Sequence, residues 1–150
     1  MEYFFILPPN YYANINKMYK FSHKLRIRYG ETDQMGYCYY GNYAQFFEIG
    51  RVETLRSLGM SYKKIEDAGI MLPVAELNVK YLKPSFYDDE ITIVTKISKK
   101  PSVKIEFDYE IYNDKNELLT TAYTRLVFVK KSTMKPCSCP TELLDKFDQL

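Results

Sequence analysis

Four stretches in the second half of the chain alternate polar and apolar side chains, and this pattern restricts the fold more than any other feature. They cover residues 71–83, 89–99, 103–112 and 117–131, with Val, Ile, Thr, Tyr and Phe on one phase. Alternation with a period of two is typical of strands that bury one face. The residues between the stretches are rich in Pro, Asp, Asn and Lys, which is turn chemistry. We therefore predict four long antiparallel strands in hairpin succession.

A strand and an apolar helix precede these four strands. Residues 23–29 alternate in the same way. Asn42 is predicted to cap a helix whose apolar residues recur at helical spacing, with Gly59 as the C-terminal cap. Its apolar stripe is broad and includes the small residue Gly50, so the helix should pack deeply rather than lie on the surface. The chain is therefore predicted to be α+β, with a helix against one face of an antiparallel sheet. Shorter helices are expected at 61–68 and 142–150.

Length and composition exclude several classes of protein. The 150 residues suffice for one domain, which we place at residues 21–150, after an N-terminal extension at 1–20 without periodicity. The net charge is only +2, so no strong field recruits nucleic acid. No apolar run reaches the roughly 18 residues that a spanning helix needs, so membrane insertion is not expected.

Cysteine usage points to a reducing compartment. The chain has three cysteines, and Cys137 and Cys139 lie too close in sequence for an ordinary disulfide. We expect reduced thiols in a cytoplasmic protein. The first residues hold no basic leader and are broken by two prolines, so no signal peptide is expected. A Cys-x-Cys pair with the distant His23 lacks the four ligands of a structural zinc site, so no metal is predicted.

The residues between the first strand and the helix carry the chemistry. Asp33 lies in a loop that also contains Gly36, directly before the predicted helix start. A helix start offers unpaired N–H groups and the positive end of the helix dipole. A carboxylate facing it could attack a carbonyl whose oxygen those N–H groups hold, or activate water against it. The alternative is that Asp33 only shapes a turn by accepting hydrogen bonds from its own backbone.

A set of motif residues occurs in several segments of this chain. They are Arg28, Tyr29, Glu31, Thr32, Asp33, Met35 and Gly36, then Tyr39, Tyr40, Asn42, Tyr43, Phe47, Glu48 and Arg51, and then Val79–Pro84 and Tyr87–Asp89. These residues resemble the 4-hydroxybenzoyl-CoA thioesterase group and, within it, the bacterial acyl-CoA thioesterases associated with the Tol–Pal system. The likeness runs over about residues 22–132 and keeps the order and spacing of the segments. This resemblance implies the hotdog fold, in which a long five-stranded antiparallel sheet wraps around a central helix.

The resemblance also implies an activity and roles for residues in the motif. It implies an acyl-CoA thioesterase in which Asp33 acts as nucleophile or general base and the Tyr40 backbone N–H polarises the thioester carbonyl. The competing view of Tyr40 is aromatic packing. Asn42 is first the helix cap and second a substrate contact, and Tyr43 and Phe47 would line or back the acyl pocket.

Further expectations follow from the same resemblance. Lys99, Lys100 and Ser102 would meet the phosphates of coenzyme A, against the alternative of a solvated hairpin tip. No metal or redox cofactor would be required, and the chain would form a homodimer or homotetramer. Helical spacing, rather than the resemblance, predicts that Glu48 pairs with Arg51 at i+3; the alternative is a second acid on the helix, as in some hotdog enzymes.

Three other functions compete with acyl-CoA hydrolysis. The thioester could be carried by an acyl-carrier protein, or the domain could bind acyl-CoA without cleaving it. A hotdog dehydratase would need a histidine five or six residues after the loop acid, and this chain has none near Asp33.

Overall fold

The computed structural model describes residues 19–150 and contains a curved antiparallel sheet and three helices. The elements in chain order are β1 (Tyr19–Arg26), α1 (Tyr43–Ser57), α2 (Tyr62–Asp67), β2 (Ile70–Met71), β3 (Val74–Tyr81), β4 (Glu90–Ile97), β5 (Lys104–Tyr112), β6 (Leu118–Val127), β7 (Val129–Lys130) and α3 (Thr141–Asp148). Single 3₁₀ turns lie at Tyr29–Glu31 and Tyr40–Asn42, on either side of the Asp33 loop.

Five of the strands form one sheet in the order β1-β4-β5-β6-β3, with every pair antiparallel. The predicted strand succession and the hotdog fold are therefore confirmed. The predicted strand at 71–83 is in fact two strands, because Pro73 separates β2, which pairs with β7, from β3. β1 and β3 are the edges of the large sheet, within the part of the chain that the structure describes.

The central helix α1 packs directly on the inner face of the sheet. An added Cβ at Gly50 would lie 2.6 Å from Thr95 Oγ1 and 2.9 Å from Ile93 Cγ2. Both atoms belong to fully buried side chains of β4. Only glycine allows this approach of helix and sheet, so the predicted deep packing of the helix is confirmed.

The caps of the helices follow the sequence pattern with one exception. Gly59, just after α1, has φ +82°, which suits glycine at the end of a helix. The Ser61 side chain accepts a hydrogen bond from the Lys64 N–H at the start of α2, and Gly69 follows α2 with φ +81°. The exception is Asn42 before α1, whose side chain makes no capping hydrogen bond.

The first strand begins earlier than predicted. β1 starts at Tyr19 rather than at residue 23, because the Tyr19 hydroxyl lies 2.7 Å from Ser57 Oγ and anchors the strand to the end of α1. It ends at Arg26 rather than at 29, where the backbone turns into the first 3₁₀ turn. Residues 1–18 of the proposed extension lie outside the described residues.

The expected pairing of Glu48 with Arg51 is wrong. Arg51 is buried, at 8% exposure, and its Nε donates to the Tyr62 hydroxyl at 3.1 Å, whereas Glu48 lies exposed on the outer face of α1. Within residues 19–150 Arg51 makes no ion pair with any carboxylate. The helix turns Arg51 toward the core, because α2 covers this side of α1 and supplies a neutral partner.

Candidate active site

The Asp33 loop closes on itself through backbone hydrogen bonds. Asp33 N–H donates to the Tyr37 carbonyl, and Gly36 N–H donates to the Asp33 carbonyl, each at 3.0 Å. Gly36 has φ +83°, a conformation that disfavours residues with a Cβ. One carboxylate oxygen of Asp33, Oδ1, accepts from the Met35 N–H at 2.8 Å. The turn-forming role considered for Asp33 is therefore real, but it occupies only one of the two carboxylate oxygens.

The other oxygen of Asp33 is available for chemistry. Oδ2 makes no hydrogen bond or ion pair with any residue in the range 19–150. The nearby Glu31 also accepts one backbone N–H, that of Arg28 at 2.8 Å, which closes the 3₁₀ turn before the loop. The two acids differ in position, because the half-buried Asp33 lines the cleft described below and Glu31 does not.

An unpaired N–H group lies at the start of the central helix. The 3₁₀ turn Tyr40–Asn42 runs directly into α1. The Tyr40 N–H has no acceptor among the described residues. This is expected for the first residues of a helical segment, where no preceding turn supplies a carbonyl. The positive end of the α1 dipole adds to the field at this point.

Asn42 holds the Asp33 loop to the helix instead of capping it. Its Nδ2 donates to the Glu31 carbonyl at 2.8 Å, and the Tyr39 N–H donates to the same oxygen at 2.8 Å. The predicted cap is wrong because the preceding 3₁₀ turn gives Asn42 helical dihedral angles, φ −76° and ψ −20°, which turn its side chain away from the following N–H groups. Asn42 instead ties the two ends of the loop together.

Asp33 and Tyr40 open on the same cleft, which has a volume of about 360 Å³. Aromatic and apolar side chains form most of its walls. Its lining consists of Asp33, Met35, Tyr37, Cys38, Tyr40, Tyr43, Tyr81, Leu82, Lys83 and Pro84. Phe47, expected to line or back the acyl pocket, lies behind the cleft: it is fully buried and its ring packs 4.8 Å from that of Tyr109.

Burial keeps the deeper groups of the cleft neutral. Desolvation raises the pKa of the Cys38 thiol, and it raises the pKa of the Tyr43 phenol, although the Ser85 hydroxyl lowers the latter in part. Lys83, the cation of the lining, pairs with Glu117 at 3.1 Å. Of the two charged side chains that line this cleft, Lys83 is thus paired, whereas Asp33 has no oppositely charged partner in the described chain.

Lys99, Lys100 and Ser102 are not brought to Asp33 within one chain. They follow β4 at the end opposite to Glu90, which pairs with Arg26 just before the Asp33 loop. The eight residues of β4 span about 25 Å, and the two lysines and Ser102 are separated from the Asp33 loop by about this distance. The lysines are mostly exposed and form ion pairs, Lys99 with Glu106 at 3.6 Å and Lys100 with Asp148.

Sequence reasoning assigned no role to two residues at the cleft, Tyr81, which lines it, and Ser85, which adjoins it. The Tyr81 hydroxyl donates to the Tyr40 carbonyl at 3.2 Å, and Ser85 Oγ lies 3.0 Å from the Tyr43 hydroxyl. Tyr81 is one of the matching residues in the second stretch of family likeness, so the motif held a signal for it, whereas Ser85 occupies a position that the motif leaves unspecified. No group of three or more metal-ligating side chains occurs in the described residues, and no helix there is long and apolar enough to cross a membrane.

A five-stranded antiparallel sheet packed against a central helix is the hotdog architecture. The chain belongs to the thioesterase-like superfamily, whose family model matches residues 27–147. The expectation of a thioester-hydrolysing enzyme is thereby confirmed at the level of the family.

Individual relatives agree with this assignment. A putative acyl-CoA thioesterase of Bacillus subtilis is 35% identical over 113 residues, which is 75% of this chain and 82% of that protein. The crystal structure of a DHNA-CoA thioesterase from Staphylococcus aureus superposes with a TM-score of 0.83 at 36% identity, over 87% of this chain and 89% of that chain. A 4-hydroxybenzoyl-CoA thioesterase superposes with a TM-score of 0.77 over 85% of this chain and 98% of that chain, but at 18% identity it supports the fold alone.

Proposed function

We propose that the protein hydrolyses acyl-CoA thioesters to the carboxylic acid and free coenzyme A. The observation that carries the proposal is the cleft that Asp33, with one free carboxylate oxygen, shares with Tyr40, whose N–H has no acceptor in the described chain. The names of the relatives, a putative acyl-CoA thioesterase and a DHNA-CoA thioesterase, support coenzyme A as the carrier. A place within the narrower 4-hydroxybenzoyl-CoA or Tol–Pal-associated group belongs to the same proposal.

The two groups divide the chemistry between them. The Tyr40 N–H donates to the thioester oxygen, on which negative charge develops as the carbonyl carbon becomes tetrahedral. Asp33 then acts in one of two ways. As nucleophile its carboxylate attacks the carbonyl carbon, the C–S bond breaks, the thiolate leaves and water cleaves the resulting anhydride. As general base it takes a proton from a water molecule that attacks the carbonyl carbon directly.

The remaining parts of the proposal concern the assembly and its setting. β3 is a sheet edge with the exposed side chains of Val74, Leu77 and Tyr81, and an exposed edge favours pairing with another strand. Antiparallel pairing of two β3 strands would set the Val74 end of one chain beside the Tyr81 end of the other. We therefore propose a homodimer, or a tetramer built from it, that acts in the cytoplasm without a metal or redox cofactor.

Such a dimer would give the two lysines a role. Val74 lies at the same end of the sheet as the turn between β4 and β5. The turn of the partner chain, with its copies of Lys99, Lys100 and Ser102, would then approach the end of the sheet that holds the Asp33 cleft. Phosphates of coenzyme A are the ligands that such residues would bind there.

The Asp33→Asn variant tests the catalytic assignment. The amide oxygen still accepts from the Met35 N–H, so the loop should keep its shape, whereas a neutral amide neither attacks nor accepts a proton from water. We expect turnover, measured by release of free thiol from a panel of acyl-CoAs, to fall at least about 100-fold.

Two matched variants serve as controls for that measurement. Glu31→Gln removes a charge from the same loop while keeping the acceptor for Arg28 N–H, and should stay within a few-fold of wild type. Tyr40→Phe keeps the backbone N–H and should cost less than about tenfold, since loss of an oxyanion donor costs about 100-fold or more. Near-wild-type turnover by Asp33→Asn would remove Asp33 from the mechanism.

A further inference from the structure

One buried wall of the cleft is formed by Tyr43, whose side chain is hydrogen-bonded to that of Ser85. Tyr43 lines the cleft and is 3% exposed, and its hydroxyl lies 3.0 Å from Ser85 Oγ. Ser85 is 1% exposed, and its carbonyl accepts the Cys38 N–H at 2.7 Å. The pair therefore joins the central helix, the Asp33 loop and the segment after β3.

Three aromatic side chains pack against the Tyr43 ring. Phe46 and Phe47 pack behind it with ring centroids 5.4 Å and 6.4 Å away, and Tyr81 packs edge-on at 5.1 Å. Phe46 and Phe47 are almost completely buried, so the space behind Tyr43 is filled by the core. Interiors of this density do not admit further methylene groups without displacement of their side chains.

A third hydroxyl adjoins the pair. Thr120 on β6 is fully buried, and its Oγ1 has no hydrogen-bond partner among residues 19–150. It lies close enough to Tyr43 that its hydroxyl lowers the pKa of the Tyr43 phenol, against the larger rise that burial causes. Moving the Tyr43 ring out of place would separate its hydroxyl from Ser85 and leave further buried hydroxyls without partners. Displacement of this ring by a substrate is therefore unfavourable.

We propose that the Tyr43–Ser85 pair determines which acyl groups the enzyme accepts, by closing the cleft beyond a compact, ring-sized acyl group and excluding long flexible chains. This inference rests on the proposed thioesterase function. In the proposed mechanism the reacting carbonyl lies between Asp33 and the Tyr40 N–H. Both of these residues are more exposed than Tyr43, so the acyl group extends toward the buried wall that Tyr43 forms. A long chain can enter only by breaking the pair and displacing the ring, which a compact group does not require.

The test compares kcat/KM for benzoyl-CoA and dodecanoyl-CoA in wild type and variants. Wild type should favour benzoyl-CoA at least tenfold. Tyr43→Leu removes the ring and should change the ratio by at least tenfold in favour of dodecanoyl-CoA. Ser85→Ala and Tyr43→Phe keep the aromatic ring but remove the hydrogen bond that holds it in place. Each should shift the ratio of the two kcat/KM values severalfold in the same direction.

A matched control is available at the other end of the sheet. Tyr19 and Ser57 form a similar hydroxyl pair at 2.7 Å, so Tyr19→Phe removes a tyrosine–serine hydrogen bond far from the cleft and should leave the substrate ratio unchanged. If Tyr43→Leu does not fold, the Ser85→Ala and Tyr43→Phe ratios decide the question.

The outcomes separate this inference from the function on which it rests. Wild type that cleaves both substrates with equal kcat/KM, or variants that lose both activities in proportion, would overturn the role of the pair and leave the thioesterase assignment intact. Wild type that releases no thiol from any acyl-CoA in the panel would overturn the proposed function and this inference with it.

Discussion

The contact of Gly50 with the sheet gives the sharpest prediction of stability. In Gly50→Ala the new Cβ would lie 2.6 Å from Thr95 Oγ1 and 2.9 Å from Ile93 Cγ2, whereas ordinary contacts begin near 3.4 Å. Thr95 and Ile93 are fully buried and β-branched, so their side chains have little freedom to rotate away. α1 must then move outward by roughly 0.8 Å, the difference between these distances.

The magnitude follows from two opposing effects. Overpacking of this kind costs about 1–3 kcal/mol. Alanine in place of glycine within a helix returns about 1 kcal/mol. Two contacts below 3.0 Å with buried, β-branched side chains place the overpacking in the upper part of its range, about 2–3 kcal/mol. We therefore expect a net loss of about 1–2 kcal/mol in the free energy of unfolding and a fall of about 2–8 °C in Tm for a domain of this size. Because the 3₁₀ turn that holds the Tyr40 N–H runs directly into α1, kcat should also fall at least tenfold, since small displacements of catalytic groups are costly.

The assay is urea unfolding and thermal unfolding of both variants beside thiol release. Gly30→Ala is the matched control, because an added Cβ there meets nothing within 4 Å and Gly30 does not need a positive φ. Its stability should stay within about 0.5 kcal/mol of wild type. If Gly50→Ala is as stable as Gly30→Ala, with the same dependence on urea, then the close packing of α1 on β4 is not what requires glycine at this position.

Two further predictions concern charges at the far end of the sheet. The Tyr123 hydroxyl, which donates to the Glu106 carboxylate at 2.7 Å, and to a lesser degree Lys104 lower the pKa of Glu106 to about 2. The ionised carboxylate therefore stabilises the fold above pH 4.5, and this stabilisation is lost as the pH falls from about 4.5 to about 2. The free energy of unfolding, measured by urea titration at each pH, should fall across this window by about 1–2 kcal/mol less in Glu106→Gln than in wild type, after allowance for solvent screening. If the free energy of unfolding of the two proteins falls equally with pH, this account of Glu106 is wrong. Replacing Lys99 and Lys100 together by Ala should raise KM for acyl-CoA severalfold at nearly constant kcat, because contacts remote from the carbonyl are made equally in ground and transition states. The rise in KM should become smaller as the salt concentration rises. An unchanged KM would mean that the two lysines are solvated surface residues that do not contact coenzyme A.

The sequence alone determined the features that depend on residues close together in the chain. Alternation predicted the long strands, and Gly59 and Ser61 marked the end of one helix and the start of the next. Gly50 within a broad apolar stripe predicted a helix packed deep on the sheet. The motif around Asp33 predicted the superfamily, because its residue types and spacing are specific even without coordinates.

Only the tertiary structure decided which distant groups meet. Asn42 has the residue type of a helix cap, yet it bonds the Glu31 carbonyl, because the loop folds back on the helix start. Arg51 meets Tyr62 rather than Glu48, since α2 covers that side of α1. Tyr43, which lines the cleft, meets Ser85, 42 residues further along the chain. Local patterns report which face of an element is buried, whereas the partner of a buried polar group depends on how separate elements pack.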